Sequence, residues 1–201
     1  MGNIMEISKY LETITQANHY AGGGSVASLN GALAASLILK AYNMIKKKDE
    51  SISDKLRPNF ENDLLNYQKF FEIGIEEDGK IFGNVLEAWK LSKDTEEERI
   101  YRFNFTQNAL KAAVNSPYKI MEKSVALLSY ILEISKFSDD MISTELIVAS
   151  HQISSAYNSA IINFYINLKY IKDKKYIEEM KDKQENLQKQ FEMKLTEFNT
   201  K

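Results

Sequence analysis

The chain has 201 residues, 44% hydrophobic and 27% charged, which is material for one globular domain, or a domain with an appendage, that can bury a core. A formal net charge of −2 gives no electrostatic reason to expect nucleic acid as a partner. With no cysteine and only two histidines, His19 and His151, disulfides, thiolate metal sites and a cysteine nucleophile are excluded, and a zinc site or a Ser–His pair has little support; no metal is expected. All eight glycines lie at or before Gly83, and the only prolines are Pro58 and Pro117. A long chain with so little of the usual punctuation of strands and hairpins reads as all-α. The N-terminus carries Glu6 and Glu12 without an apolar run, so no signal peptide is expected and a cytoplasmic location is the default.

Residues 4–17 form a first helix, with Ile4, Ile7, Leu11 and Ile14 on one face. Residues 16–20 lead from it into a glycine loop, and His19 there serves either as a base at a ligand site or as a local packing residue. The loop reads Ala21-Gly22-Gly23-Gly24-Ser25, followed by small residues through Ser36. Ser25 stands where an N-cap is wanted, so the second helix is expected from Ser25 to about Lys47. Its first turn offers unpaired N–H groups and the positive end of the helix dipole, a seat for an anion. Its small residues let another backbone approach. Spacing and context match neither the Walker loop nor the dinucleotide fingerprint. Ser25, Ser28, Asn30 and Ser36 make the stretch a weak membrane-span candidate, and no membrane partner is expected. Lys46, Lys47 and Lys48 at the helix C-terminus either offset the dipole or meet an anionic tail.

After a polar loop, Ser53 or Asp54 is expected to cap a third helix that holds Pro58 in its first turns and runs to about Leu91. Phe60, Leu64, Tyr67, Phe71 and Ile75 form its apolar stripe. Gly74, Gly79 and Gly83 interrupt it, which suggests close approach by a neighbouring helix or a ligand. Of the acids among them, Glu76, Glu77 and Asp78, most are solvated by default, and one beside Gly79 is a candidate for pointing into a pocket. Asp94 or Thr95 with Glu97 or Glu98 resembles a capping box, opening a fourth helix to about Asn115. Pro117 starts or kinks the next helix, which ends near Ile134. Ser138 or Asp139 caps a long helix to about Ile171, with Ile147, Ile153, Tyr157 and Ile161 on its buried side. Asn163 and Asn167 share a face of that helix, and buried amides need partners. Residues 173–201 form a final surface helix with Ile177, Leu187, Phe191 and Leu195 as a sparse stripe.

Three groups of residues, in order along the chain, resemble a known family. Ala21-Gly22-Gly23-Gly24-Ser25-Val26-Ala27 is similar to the Pro-Gly-Gly-Gly-Ser opening of the cyclodeaminase domain of formiminotransferase-cyclodeaminase, which also occurs alone as a methenyltetrahydrofolate cyclohydrolase. Asp78-Gly79-Lys80-Ile81-Phe82 followed by Glu87-Ala88-Trp89-Lys90-Leu91-Ser92-Lys93-Asp94-Thr95 is similar to the family's Asp-x-x-Ala-Phe…Glu-Ala-x-x-Leu-Pro-Lys-x-Thr. Ser138-Asp139 with Asn163-Phe164-Tyr165-Ile166-Asn167-Leu168 is similar to its Ser-Asp…Asn-Val-x-Ile-Asn-Leu. Ala21 and Ser92 replace two of the family's prolines, and Leu132-Glu133 stands where it has Gly-Asn.

The resemblance implies a multihelical up-and-down bundle that works as a homodimer on a tetrahydrofolate derivative, with no further cofactor. The acid matched by Asp78 takes the catalytic role. The loop Gly22, Gly23, Gly24 and Ser25 would position the ligand through backbone N–H groups. Lys93 or Lys46–Lys48 would hold the folate's glutamate carboxylates, and Asp139, Asn163 and Asn167 would hydrogen-bond the pterin. The activity implied is hydrolysis of 5,10-methenyltetrahydrofolate to 10-formyltetrahydrofolate. The alternatives are formiminotetrahydrofolate cyclodeaminase and a diverged, non-catalytic helical binding protein.

Overall fold

A computed structural model of the protein describes residues 6–200, and Ile4 lies outside them. The described residues form helices and no strand, as the punctuation implied. The helices are α1 (Ile7–Thr15), α2 (Gly23–Lys48), α3 (Ile52–Lys55), α4 (Phe60–Lys90), α5 (Glu96–Ile134), α6 (Asp140–Leu168) and α7 (Lys174–Asn199), with a 3₁₀ turn at Ser135–Phe137 between α5 and α6.

Side-chain pairs fix the topology. Gln68 donates to Ser36 and Lys46 reaches Glu61, so α4 runs antiparallel to α2. Asn30 donates to Ser155 and Lys40 pairs with Glu145, so α6 also runs antiparallel to α2, on its other side. Tyr130 donates to Asp63 while Arg102 reaches the Trp89 carbonyl, which sets α5 antiparallel to α4. The result is an up-and-down bundle with α2 at its centre and α7 laid over α5 and α6. α2 has the length and apolarity of a membrane span, yet here it is the innermost helix, with Ala27, Ala34, Ala35, Ile38 and Ala41 buried.

Small residues on α2 set how closely α4 approaches. Gly24, Ser28 and Gly31 face Asp78, Gly74 and Phe71 in that order. A Cβ on Gly31 would stand 2.3 Å from the Phe71 ring, and one on Gly74 would stand 2.7 Å from Ser28 Oγ. The three glycines of α4 do not interrupt it. Gly79 and Gly83 only meet the Tyr20–Ala21 segment at ordinary contact distance.

Several expectations are corrected. Ser25 is not the N-cap of α2, because the helix begins two residues earlier with Gly22 at the cap. Pro58 does not lie in the first turns of one long helix. α3 is a separate short helix, and α4 starts after Asn59, which takes a left-handed conformation at φ 62°. Pro117 neither starts nor ends a helix, since α5 runs through it. A proline there removes the N–H that would bond the Ala113 carbonyl one turn back. Asn167 of α6 supplies the missing donor, its Nδ2 lying 2.7 Å from that oxygen. On α1 the predicted apolar face is outward, with Ile7 79% and Leu11 54% exposed, and the helix buries Tyr10 instead. On α6, Ile147 is exposed, while Leu146, Ile153, Tyr157 and Phe164 face the core. The helix also stops at Leu168, short of Ile171.

The caps follow side-chain chemistry closely. Thr95 and Glu98 form a reciprocal capping box. Asp139 caps α6 by accepting from the Ile142 N–H, and Asp173 caps α7 by accepting from the Tyr176 N–H. Leu187 and Phe191 of α7 are buried, with Phe191 stacked on Tyr157 at 4.0 Å between ring centroids.

Candidate functional site

The N-terminus of α2 leaves its first N–H groups without helical partners. Ser25 donates its N–H to Asp78 Oδ2 at 3.1 Å, so a carboxylate from α4 occupies the seat that the helix dipole offers an anion. Only glycine permits this at position 24. A Cβ there would stand 2.1 Å from Asp78 Oδ1 and 2.5 Å from its Cγ. Gly23 is packed the same way by a different side chain, since a Cβ on it would meet Asn163 Nδ2 at 3.2 Å. The glycine loop is therefore a close-packed junction of α2, α4 and α6.

Ser25 has a second task. Its hydroxyl donates to the Ile75 carbonyl at 2.7 Å and pairs with the Tyr10 hydroxyl at 3.0 Å, tying α1, α2 and α4 together. Burial pushes the Asp78 carboxyl above its ordinary value, and the Ser25 N–H draws it part of the way back. Tyr10 is raised as well, first by burial and further by the charge of nearby Asp78, while its bond to Ser25 acts the other way. A carboxyl with a raised pKa holds its proton to higher pH and is a stronger base once ionised, as proton transfer near neutral pH requires.

Beside this junction lies a groove of about 760 Å³ between α1, the linker after it and α4. Tyr10, His19, Tyr20, Ile75 and Gly79 line it, with Lys80, Asn84 and Glu87 farther along α4. The volume is in the range of small-molecule sites. His19 accepts the Ala21 N–H on Nδ1 at 3.0 Å, so it shapes the linker with one ring nitrogen and leaves the other to the groove.

Of the residues singled out in the sequence, the structure gathers Gly22, Gly23, Gly24, Ser25, Asp78 and Asn163. Asn167 lies one turn beyond Asn163, with its amide committed to Ala113. Within one chain the structure does not bring Lys93 or Asp139 to this junction. Lys93 lies on the exposed α4–α5 loop, where its carbonyl accepts from Arg99. Asp139 lies at the opposite end of α2, paired with Lys48, and that ammonium together with the Ile142 N–H holds its carboxyl below the ordinary value. Lys46 is paired with Glu61. Glu133, at a position where the resemblance breaks, accepts from the Arg57 backbone N–H at 2.5 Å and pairs with its guanidinium, closing the α3–α4 turn. Sequence reasoning missed Tyr10. Its signal was present, since a tyrosine next to an apolar stripe carries a hydroxyl that seeks a partner on burial.

A family model described as formiminotransferase-cyclodeaminase matches residues 6–186. The chain is 32% identical over 159 residues to formimidoyltransferase-cyclodeaminase of Gallus gallus, a match covering 77% of this chain and 29% of that protein. It thus spans less than a third of that relative. It is 28% identical over 181 residues to methenyltetrahydrofolate cyclohydrolase of Methylorubrum extorquens, covering 86% of this chain and 84% of that one. The fold matches a structure described as formiminotetrahydrofolate cyclodeaminase from Thermotoga maritima, with TM-score 0.77, 20% identity, and 98% and 95% of the two chains covered. The family match covers the glycine junction, Asp78 and both asparagines, and the chain belongs to the formiminotransferase-cyclodeaminase family.

Proposed function

We propose that the protein is an enzyme of folate one-carbon chemistry that hydrolyses 5,10-methenyltetrahydrofolate to 10-formyltetrahydrofolate, with Asp78 as its acid–base group. The observation that carries this reading is a half-buried carboxylate with a raised pKa at the N-terminus of α2, next to a groove of ligand size. The substrate's amidinium carbon is cationic and lies between two nitrogens. Ionised Asp78 attracts that cation and takes a proton from the attacking water. The new C–O bond makes the carbon tetrahedral. The proton then passes to N5 as the C–N5 bond breaks, leaving the formyl group on N10, and the net reaction consumes one water and releases one proton. Help of this kind is typically worth about 10²–10⁴-fold.

The N–H groups of Gly23 and Gly24 donate to no protein acceptor among the described residues and would donate to the bound ligand. Asn163 offers amide groups at the same junction. Large apolar side chains exposed on one chain, including Ile7, Leu11, Phe82 and Trp89, support a homodimer. Similarity along 84% of a cyclohydrolase-named relative supports the hydrolytic reading. The ammonia-releasing ring closure of a formimino-folate is the second reading, because it passes through a tetrahedral carbon at the same position and needs the same proton shuttle.

The test is the absorbance decay of methenyltetrahydrofolate with purified protein, read against spontaneous hydrolysis and an Asp78→Asn control. Acceleration that vanishes in the control is expected. An Asp78→Asn variant within a few-fold of the parent rejects the assigned role. No acceleration by the parent rejects the cyclohydrolase reading and turns the assay to formimino-folate.

A further inference from the structure

A second cavity, of about 390 Å³, opens on a different face of α4 from the groove, between α4 and α5 with α2 as its floor. Ser28 forms part of that floor. It is 1% exposed, and its hydroxyl has no hydrogen-bond partner among the described residues. The Tyr157 hydroxyl and Gln188 Oε1 share this state, whereas the other buried serines and Gln184 are satisfied. Ser25 donates to Ile75, Ser124 to the Ile120 carbonyl, Ser150 to the Ile147 carbonyl, and Gln184 accepts from Tyr165. A helical serine ordinarily satisfies itself by bonding back to the preceding turn. Ser28 does not, although an unpaired buried hydroxyl costs about 1–3 kcal/mol. Gly74 is the residue of α4 that leaves room for this hydroxyl, since a Cβ there would stand 2.7 Å from the hydroxyl oxygen.

The rest of the lining says what would satisfy this hydroxyl. Phe70, Ile81 and Ile120 give the cavity apolar walls suited to a ring. Glu77 and Lys119 supply one carboxylate and one ammonium to the lining, both are exposed, and neither forms an ion pair among the described residues. Charges of both signs above an apolar, hydroxyl-floored cavity complement a zwitterion that carries a ring with a polar tip.

We propose that this cavity binds a free aromatic amino acid with a hydrogen-bonding ring substituent, its ammonium and carboxylate at Glu77 and Lys119 and its ring tip at Ser28. The site is separate from the glycine junction and does not depend on the folate reading.

The test uses the full chain with isotope-labelled isoleucine methyls, titrated with L-tyrosine and then with L-phenylalanine, which lacks the hydroxyl. L-tyrosine should shift the Ile81 and Ile120 methyls saturably. L-phenylalanine should bind roughly three- to tenfold more weakly, the worth of one neutral hydrogen bond. Ser28→Ala should reduce tyrosine to the affinity of phenylalanine and leave phenylalanine unchanged. Lys119→Met, on the surface, should weaken both. The proposal is overturned if neither amino acid shifts these methyls, if both bind equally to the parent, or if the preference for tyrosine survives Ser28→Ala. Competition by a reduced folate would also overturn it as a separate site, and would assign the cavity to the folate.

Discussion

Removing the Asn167 side chain tests how α5 tolerates a proline at its centre. Pro117 lacks the N–H that would bond the Ala113 carbonyl, and Ala113 is buried at 4% exposure. The Asn167 Nδ2 at 2.7 Å is the donor that carbonyl receives from α6. Asn167→Ala should therefore cost about 1–3 kcal/mol, the penalty for leaving a buried acceptor unmade. In a Pro117→Ala background, residue 117 regains its N–H and can satisfy Ala113 within the helix. There the same Asn167→Ala change should cost at least about 1 kcal/mol less, because the pair shares one acceptor. Any loss of packing on removing the proline ring cancels around the cycle. The assay is urea unfolding of the four proteins followed by circular dichroism, at one fixed protein concentration so that self-association does not shift the midpoints. Slopes should stay constant while midpoints move. Additivity within about 0.3 kcal/mol would refute the reasoning, and would mean that Asn167 does something other than replace the missing helical bond.

Asp78→Asn should abolish turnover yet leave the fold intact, because the amide oxygen still accepts from Ser25. Burial raises the Asp78 carboxyl, so its contribution to stability is fully present below the ordinary carboxylate value, roughly 3.9, and is lost as pH rises through the higher native value. Thermal melts across that interval should show the Asn variant gaining on the parent as pH rises, and a trend of the opposite sign would contradict the assigned burial effect. Gly24→Ala places a methyl 2.1 Å from Asp78 Oδ1 and forces the carboxylate off the helix N-terminus. Displacement of that size should lower the rate of methenyltetrahydrofolate hydrolysis by about 100-fold with circular dichroism unchanged, and a wild-type rate would count against the site. Gly31→Ala drives a methyl to 2.3 Å from the buried Phe71 ring and should destabilise by about 1–3 kcal/mol in urea unfolding while sparing the catalytic groups.

The helices were legible because their signals are local. Thr95 with Glu98, Asp139, and the bare glycine run each act within one turn of chain. What was not legible depended on partners distant in sequence. Proline inside a helix reads as a break, and the asparagine that offsets Pro117 comes 50 residues later. Ser25 has the chemistry of a cap, but the acceptor at that helix end is Asp78, which arrives from α4. Periodicity located the apolar faces of α1 and α6 without saying what would cover them, so Ile7, Leu11 and Ile147 read as core and stand exposed. Asp78 itself stood out through motif resemblance. Its environment required the fold, since nothing in its neighbourhood along the chain reveals the missing Cβ at Gly24. Asp139 matched the same motifs but lies at the far end of α2, paired with Lys48, because matching letters do not fix which end of a bundle a residue reaches, and Lys93 lies on the exposed α4–α5 loop beyond the end of α4.

The pairing of Gly24, Ser28 and Gly31 with Asp78, Gly74 and Phe71 works as an alignment mark between two helices. Each added residue turns a helix by about 100° and advances it about 1.5 Å. An insertion between Ser25 and Gly31 would therefore bring larger side chains against Asp78 or Phe71 and turn the gaps away. Substitutions along α2 can be absorbed one at a time, whereas a change in its length between these marks would displace the carboxylate and the core together. Length variation among related chains should then gather in the α4–α5 turn around Lys93 and at the α7 terminus, and avoid this six-residue interval.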